Sequence, residues 1–384
     1  MGMHPGTPGQ PGHSRNQRDE LREPRPATAA IDAPVVDVTN LRAWYVTRQF
    51  GVQREVRAVD DVSLQVRRNE IYGLAGESSC GKSTLIKTIA GAVRPPLEVL
   101  GGSVLFDFHG ERLDLYRSPP AARAAIRWKH LSYVMQGSMS VLNPVRRVRH
   151  SFVDFAYRHI GGSIADFENT VRAHLERLQL RPGVLEAYPH ELSGGMRQRV
   201  AIALATVCRP ELIIADEPTT ALDVIVQKGV LGMIREVQRE LQSSLLFVTH
   251  DMAVHAYLCD RLGVMYAGRL IEEAPTADIF RAPLHPYTRH LIASLPRIGQ
   301  AARMDALKGA PPNLAAPPAG CRFHPRCPLA MEVCSQQVPP LETLTPGHRV
   351  ACFAVTPPAT PASAPVSVSP TQVSTRAAPP GDSR

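Results

Sequence analysis

The sequence predicts an α/β protein with a mixed sheet core, an antiparallel β subdomain, a helical subdomain and a small cysteine-containing C-terminal module. Three observations predict it. The first is a short apolar strand, Ile71-Tyr72-Gly73-Leu74-Ala75, running straight into Gly76-Glu77-Ser78-Ser79-Cys80-Gly81-Lys82-Ser83 and then into helical spacing at Leu85, Ile86 and Ile89. The second is a pair of unbroken apolar runs, Leu212-Ile213-Ile214-Ala215 and Leu245-Leu246-Phe247-Val248, of the kind that form parallel strands buried on both faces. The third is the gathering of Cys321, Cys327, Cys334 and Cys352 in a late stretch with little apolar content of its own.

In chain order, residues 1–34 carry Pro, Gly and Arg but no apolar run, and read as a disordered extension; residues 356–384 read as a disordered tail. Residues 35–38 and 62–66 alternate like half-buried antiparallel strands. Residues 97–129 read as a long, Arg-rich linker, and residues 131–135 as another strand. From residue 137 the pattern is mostly helical, including 167–180, which sets the helical subdomain at about 137–205. Residues 227–241 read as a helix between the two apolar runs. Neither the glycine loop nor the residues that follow the apolar runs recur, so residues 35–281 read as one domain, and residues 282–355 are expected as a separate small module.

Composition narrows the class. A formal charge of +8 invites a nucleic-acid reading, but part of it lies in the Pro/Gly-rich extension and only 5% of the chain is aromatic. A protein near anionic lipid headgroups, without nucleic acid, is the better reading. No stretch reaches the roughly 18 apolar residues of a spanning helix. An odd total of seven cysteines and no secretory signal point to a reducing compartment and to metal binding rather than disulfides.

The chemistry concentrates around the glycine loop. Backbone N–H groups from Gly76, Glu77, Ser78, Ser79, Cys80 and Gly81 can turn inward around phosphate oxygens, and the helix that starts at Lys82, Ser83 and Thr84 adds its positive end. Lys82 reaches the β- and γ-phosphates of ATP, and Ser83 ligates Mg²⁺. Asp216 closes an apolar strand, where a carboxylate holds Mg²⁺ through water. Glu217, beside it, is left free to orient and deprotonate the attacking water. His250, just past the strand 245–248, is placed to touch the γ-phosphate, and Gln136 to add a water-bridged contact to Mg²⁺. Tyr45, ahead of Trp44, is the expected stacking partner of adenine, although an aromatic in a strand also serves a core. A second glycine-rich helix start, Ser193-Gly194-Gly195-Met196-Arg197-Gln198-Arg199, has no phosphate of its own to hold. It makes sense if it closes over a nucleotide bound by another chain.

Taken together, these residues resemble the ATP-binding subunits of ABC transporters, with Walker A at 76–83, the Q-loop glutamine Gln136, the signature at 192–199, Walker B at 212–216, catalytic Glu217, a D-loop Ala221-Leu222-Asp223 and the switch His250. The signature, the string Ile214-Ala215-Asp216-Glu217-Pro218-Thr219-Thr220, the motif His285-Pro286-Tyr287-Thr288 and the tail Gly320-Cys321-Arg322-Phe323-His324-Pro325-Arg326-Cys327-Pro328 resemble the oligopeptide/dipeptide/nickel importer family. The resemblance implies a P-loop NTPase fold of the ABC type and ATP hydrolysis with Mg²⁺ that drives peptide or small-solute uptake. It implies a paralogous ATPase in a heterodimer, two transmembrane permeases, an extracellular solute-binding protein, and a place on the cytoplasmic face of the membrane. Ser193, Gly194, Gly195 and Asp223 would then meet ATP across the dimer. Three departures stand out: Ser79 replaces a Gly of the phosphate loop, Gly137-Ser138 replaces Asp-Pro after the Q-loop glutamine, and the linker 97–129 is long and Arg-rich. A soluble ABC ATPase acting on ribosomes or DNA is the rival, though roughly 55 residues without heptads separate Gln136 from Ser193, too few for a long coiled coil.

Cys321-x5-Cys327-x6-Cys334-x17-Cys352 lacks the CxxC knuckle of structural zinc. Four spaced thiols, one followed by Pro328, suit a [4Fe–4S] cluster. His324 and His348 keep Zn²⁺ open, and metal-free buried cysteines remain a third reading. The expected role is structural, with a metal or redox sensor controlling the ATPase as the alternative.

Overall fold

The structure, a computed structural model, describes residues 34–220, 222–295, 307 and 309–355. The expectations for residues 1–33, for Ala221 and for the tail from residue 356 lie outside the described residues.

An antiparallel ribbon comes first. Strands β1 (Pro34–Gln49) and β2 (Val52–Arg67) pair with Val36 opposite Val66 and Val38 opposite Leu64, so their alternation buries one apolar row. Strand β3 (Ile71–Ala75) then leads through the glycine loop into helix α1 (Lys82–Ile89). Strands β4 (Leu97–Phe108) and β5 (Glu111–Asp114) complete a four-stranded sheet of order β2-β1-β4-β5, and helix α2 (Pro120–Ile126) follows. The stretch read as a linker is therefore structured, about half of it sheet and the rest turns and a short helix. Gly101-Gly102 interrupts its apolar alternation where β1 and β4 shift register, which hides the strand in the sequence.

Strand β6 (Leu131–Val134) returns to the main layer. Helices α3 (Val148–Ile160), α4 (Ile164–Arg177) and α5 (Gly194–Thr206) form the helical subdomain. Strand β7 (Leu212–Asp216), helix α6 (Val224–Leu241), strand β8 (Ser244–Val248), helix α7 (Met252–Leu258) and strands β9 (Arg261–Tyr266) and β10 (Arg269–Pro275) complete the core. Every residue of β3, β7 and β8 is buried, as continuous apolar strands in a covered parallel sheet should be. Period-two alternation splits their side chains between two cores. Leu212 and Ile214 face α1 and the antiparallel sheet, while Ile213 and Ala215 face the helical subdomain.

Helix α8 (Thr276–Arg281) ends the nucleotide-site domain, and helices α9 (Pro286–Ala293) and α10 (Glu332–Gln336) with strands β11 (Glu342–Thr345) and β12 (His348–Val350) build the C-terminal module. It is less separate than the sequence suggests. Strand β12 pairs antiparallel with β10, and the main sheet runs β11-β12-β10-β9-β3-β8-β7-β6. Its core is shared too: Tyr266 of β9, Tyr287 of α9 and Phe323 meet edge to face, with centroids 4.6, 5.2 and 5.5 Å apart. Buried Glu272 anchors the join by accepting from the Leu284 and His285 N–H groups and pairing with His348 at 2.7 Å. Burial alone would push that carboxyl up, but these hydrogen bonds outweigh it and hold it below the usual carboxylate range. A three-residue strand carries too little periodicity to be read from sequence.

Candidate active site

Four neighbouring parallel strands deliver the site. β3, β8, β7 and β6 end at one edge of the sheet, so the residues just beyond them converge: the loop from Gly76, His250, Glu217 and Gln136. The loop turns through left-handed backbone at Ser79 (φ 65°) and Gly81 (φ 108°). A Cβ at Gly81 would stand 1.9 Å from the Ala58 carbonyl oxygen, so glycine is required there. The Lys82 ammonium donates to the carbonyls of Gly76 (2.7 Å) and Glu77 (2.9 Å), which fixes it against the loop.

Asp216 is buried, and its hydrogen-bond partners are hydroxyls: Ser83 and Tyr133, each at 3.4 Å. Desolvation, and then the neighbouring Glu217 charge, push its carboxyl up from its ordinary value. A buried carboxylate beside a serine hydroxyl offers hard oxygen donors that suit Mg²⁺. Glu217 occupies left-handed backbone (φ 48°). Its carboxylate accepts from Gln136 Nε2 at 3.1 Å and Thr220 Oγ1 at 3.0 Å, with His250 Nδ1 at 3.5 Å. Strain held at such a position is characteristic of functional sites.

These groups open on a cleft of about 380 Å³ lined by Tyr45, Ser78, Ser79, Gly81, Lys82, Ser83, Thr84, Glu217 and His250. Tyr45 does line it, and its hydroxyl lies 3.3 Å from that of Thr84. Trp44 instead lies under the Arg57 guanidinium, 4.8 Å from the ring centroid. Sequence reasoning missed Val56, Ala58 and Leu314 in the same lining, and Tyr133 and Thr220 as partners of the two carboxylates. The hydroxyl residues sit beside motif positions and are visible in hindsight; Leu314 has no local signal.

The second glycine-rich start lies apart. Ser193 caps α5 by accepting from Met196 N–H at 3.3 Å, and Asp223 caps α6 by accepting from Val226 N–H at 2.9 Å. A Cβ on Gly195 would meet Val226 Cγ1 at 2.7 Å, so the two helix starts are pressed together. None of Ser193, Gly194, Gly195 or Asp223 lines the cleft of its own chain.

The four cysteines of the module are close enough to affect one another: Cys334, Cys352 and Cys327 all bear on Cys321. Burial pushes the Cys321 thiol up to about 11 and raises Cys327 and Cys352 as well. Among the described residues, however, no group of three or more His, Cys, Asp or Glu side chains is arranged to hold a metal ion. The histidines that kept zinc open are engaged elsewhere, His348 with Glu272 and His324 with the Cys321 carbonyl. As arranged, the thiols match the donor chemistry of the expected [4Fe–4S] or Zn²⁺ site but not its ligand geometry.

Comparison with known proteins follows the same division. Residues 59–220 match the ABC transporter family, and residues 271–334 match the oligopeptide/dipeptide transporter C-terminal region. The chain is 39% identical over 334 residues to the oligopeptide transport ATP-binding protein OppD of Salmonella typhimurium, covering 86% of this chain and 95% of the relative. It is also 39% identical over 321 residues to the dipeptide transport ATP-binding protein DppD of Caldanaerobacter subterraneus, covering 83% and 96%. Among solved structures, the dimeric post-hydrolysis ATP-binding cassette MJ0796 bound to ADP and Pi matches with a TM-score of 0.53. At 24% identity, over 63% of this chain and 98% of that one, it shows the shared fold.

Proposed function

The chain belongs to the ABC transporter family, among the ATP-binding proteins of its oligopeptide/dipeptide branch, and from that membership we propose that it hydrolyses ATP to drive uptake of di- or oligopeptides, or a related small solute, across the cytoplasmic membrane. The observation that carries the reading is the convergence of Gln136, Asp216, Glu217 and His250 on the loop 76–83. The relatives' names, all of peptide transport or import, give the ribosome- and DNA-directed alternatives no support.

ATP would sit with its phosphates on loop backbone N–H groups other than that of Glu77, which the Tyr287 hydroxyl takes, and on Lys82, with its base beside Tyr45. Ser83, Asp216 and, through water, Gln136 would hold Mg²⁺, which offsets phosphate charge when bound. Glu217 takes the proton of the attacking water; the Gln136 and Thr220 hydrogen bonds fix the carboxylate for that task. His250 lines the cleft on the same side as Glu217 and steadies the γ-phosphate.

Because the signature residues lie away from their own cleft, Ser193, Gly194, Gly195 and Asp223 would complete the site of a second ATPase chain, a paralogue in a heterodimer. Beside Asp223, Val224 and Ile225 are 80% and 86% exposed, which supports a partner surface there. One of the two permeases would dock in the apolar groove of about 650 Å³ where Trp128, Met135, Val141 and Phe155 lie, and the other on the second ATPase chain. No helix among the described residues is long and apolar enough to cross a membrane, so the proposal places the chain as a peripheral subunit on the cytoplasmic face, with an extracellular binding protein supplying solute.

For the C-terminal module the same reading keeps Cys321, Cys327, Cys334 and Cys352 as ligands of one structural group, a [4Fe–4S] cluster or Zn²⁺. Their mutual proximity supports it, and binding would require the four thiols to rearrange into a ligand set that they do not form here. Anaerobic purification followed by iron and zinc analysis tests it: about four irons or one zinc per chain supports a metal, and neither removes it.

The transport reading is tested by tagging the chain and purifying it from detergent-solubilised native membranes. Two multi-span permeases, a second ATPase and a solute-binding protein are expected by mass spectrometry. Co-purification with ribosomes or DNA instead would overturn it.

A further inference from the structure

The C-terminal module touches the nucleotide site directly, at two places. The first is Glu77, the second residue of the phosphate loop. Its carboxylate is gripped by both terminal nitrogens of Arg326, at 3.0 and 3.3 Å, and its backbone N–H donates to the Tyr287 hydroxyl at 2.8 Å. Arg326 is nearly buried, with 7% of its side chain exposed, and Tyr287 is fully buried, so both anchors stand on packed structure. A two-pronged guanidinium–carboxylate pair fixes orientation as well as charge. The Glu77 carbonyl in turn receives the Lys82 ammonium. A chain of contacts thus runs from the cysteine-bearing segment to the lysine that meets phosphate.

The second place is Leu314. Its carbonyl accepts from the Arg57 N–H of β2 at 2.9 Å, which holds the segment against the ribbon, and the residue lines the cleft that Tyr45 lines while packing against the Tyr266–Tyr287–Phe323 cluster. The loop that needs holding is also the loop that carries Ser79 in left-handed backbone. A phosphate cradle tolerates little displacement of its N–H groups, so a brace outside the loop bears on affinity.

Resting on the reading of this cleft as the ATP site, we propose that the C-terminal module completes it: Arg326 is a positioning residue that braces the phosphate loop through Glu77, and Leu314 is an apolar wall of the nucleotide cleft. The module is then part of the ATP site and sets nucleotide affinity.

The test uses the purified full-length chain, a fluorescent N-methylanthraniloyl ATP analogue for equilibrium binding, and steady-state ATPase measurements. Arg326→Ala is expected to weaken binding about tenfold and to raise KM with kcat held within about twofold, because the brace serves ground-state binding and leaves Glu217 untouched. Glu77→Ala should do the same, and the double variant should be no weaker than Glu77→Ala alone. Arg326→Lys, which keeps the charge but not the fork, should recover part of the loss. Leu314→Asp should weaken binding several-fold, since the Arg57 bond uses the backbone. Unchanged affinity in Arg326→Ala, or an Arg326→Ala penalty undiminished in the Glu77→Ala background, overturns the brace. If Arg326→Ala does not fold, as judged by circular dichroism, Glu77→Gln and Arg326→Lys carry the same comparison. Absence of nucleotide binding by the wild-type chain would overturn this proposal and the ATP-site reading together, whereas wild-type binding with indifferent variants overturns this proposal alone.

Discussion

The chain has two glycine-rich helix starts, and their surroundings differ. At α1 the loop is ringed by its own chemistry: Lys82 against the loop carbonyls, Ser83 on Asp216, and Gln136, Thr220 and His250 around Glu217. At α5 there is a capping serine, bare glycine backbone and a neighbouring helix start at Asp223. Both present backbone N–H groups and a positive helix end. Only the first has groups to activate water and neutralise a metal-bound phosphate. The difference teaches that one start is surrounded by side-chain chemistry and the other is not, and the proposed division of labour, a reaction centre at one and donors to a centre elsewhere at the other, rests on it. Breaking either should give different kinetic signatures.

The largest effect is expected at the reaction centre. Glu217→Gln keeps a side chain able to fill the same space but removes the base, so turnover should fall by about 10²-fold or more while ATP binding persists. ATP-binding titration alongside phosphate-release kinetics measures both. Near-normal turnover would remove Glu217 from its role and erase the contrast between the two starts.

At the donor loop, Gly195→Asp adds bulk against Val226, where a Cβ alone would stand at 2.7 Å, and puts negative charge where phosphate is expected. Turnover should drop by roughly 10-fold to 10²-fold, with nucleotide affinity of the isolated chain unchanged because residue 195 does not line that chain's cleft. Weakened binding in the isolated chain would show that the two loops share one site, and the division of labour would fail.

How much of this was legible follows the strands. Asp216, Glu217, Gln136 and His250 all stand just past short apolar runs, and parallel neighbours ending at one edge must bring such positions together. Periodicity and order along the chain therefore sufficed to bring these four positions together, while their roles belong to the proposal. The C-terminal contributions were not legible. Glu77 and Arg326 lie on opposite sides of the whole domain in sequence, and neither the three-residue β12 nor the single leucine at 314 carries a periodic signal. Residues 97–129 were misread because Gly101-Gly102 masks the alternation of β4. The cysteines were legible as a set, since thiols are rare and clustered, but spacing alone says nothing about whether side chains turn inward to ligand distance.

A smaller effect compares the two regions by acid. The catalytic core and the helical subdomain each bury a histidine: His255 lies behind the phosphate loop, within reach of Cys259 and the Thr249 carbonyl, and His174 lies at the C-terminal end of α5, 2.8 Å from the Thr206 hydroxyl. Burial pushes each imidazole down from its ordinary 6.5 to about 4. Between those values the unfolded chain binds protons that the native state refuses, so stability increases with pH across the window and is lost as pH falls from about 6.5 toward 4. Thermal unfolding at stepped pH should show the midpoint falling on acidification, and hydrogen exchange should show both regions loosening. His174→Gln should flatten the slope in the helical subdomain alone.

The finest test concerns Ser79, the one departure from the expected glycines inside the phosphate loop. Its φ of 65° costs a non-glycine residue about 1 kcal/mol. Ser79→Gly removes that strain and also loosens the unfolded chain, an opposing cost of about 0.5–1 kcal/mol, so global stability should barely move. Affinity is a separate matter. If the loop relaxes out of the left-handed conformation when nucleotide leaves, the strain opposes binding, and Ser79→Gly should lower the ATP dissociation constant by up to about fivefold. We expect a smaller gain, about twofold, because the Arg326 and Tyr287 contacts on Glu77 hold the loop in its bound shape. The full gain should then emerge only when Ser79→Gly is combined with Arg326→Ala. Equal gains in both backgrounds would mean that the loop holds its own conformation and that the phosphate site, unlike the donor loop at Ser193, needs nothing from outside its own motif.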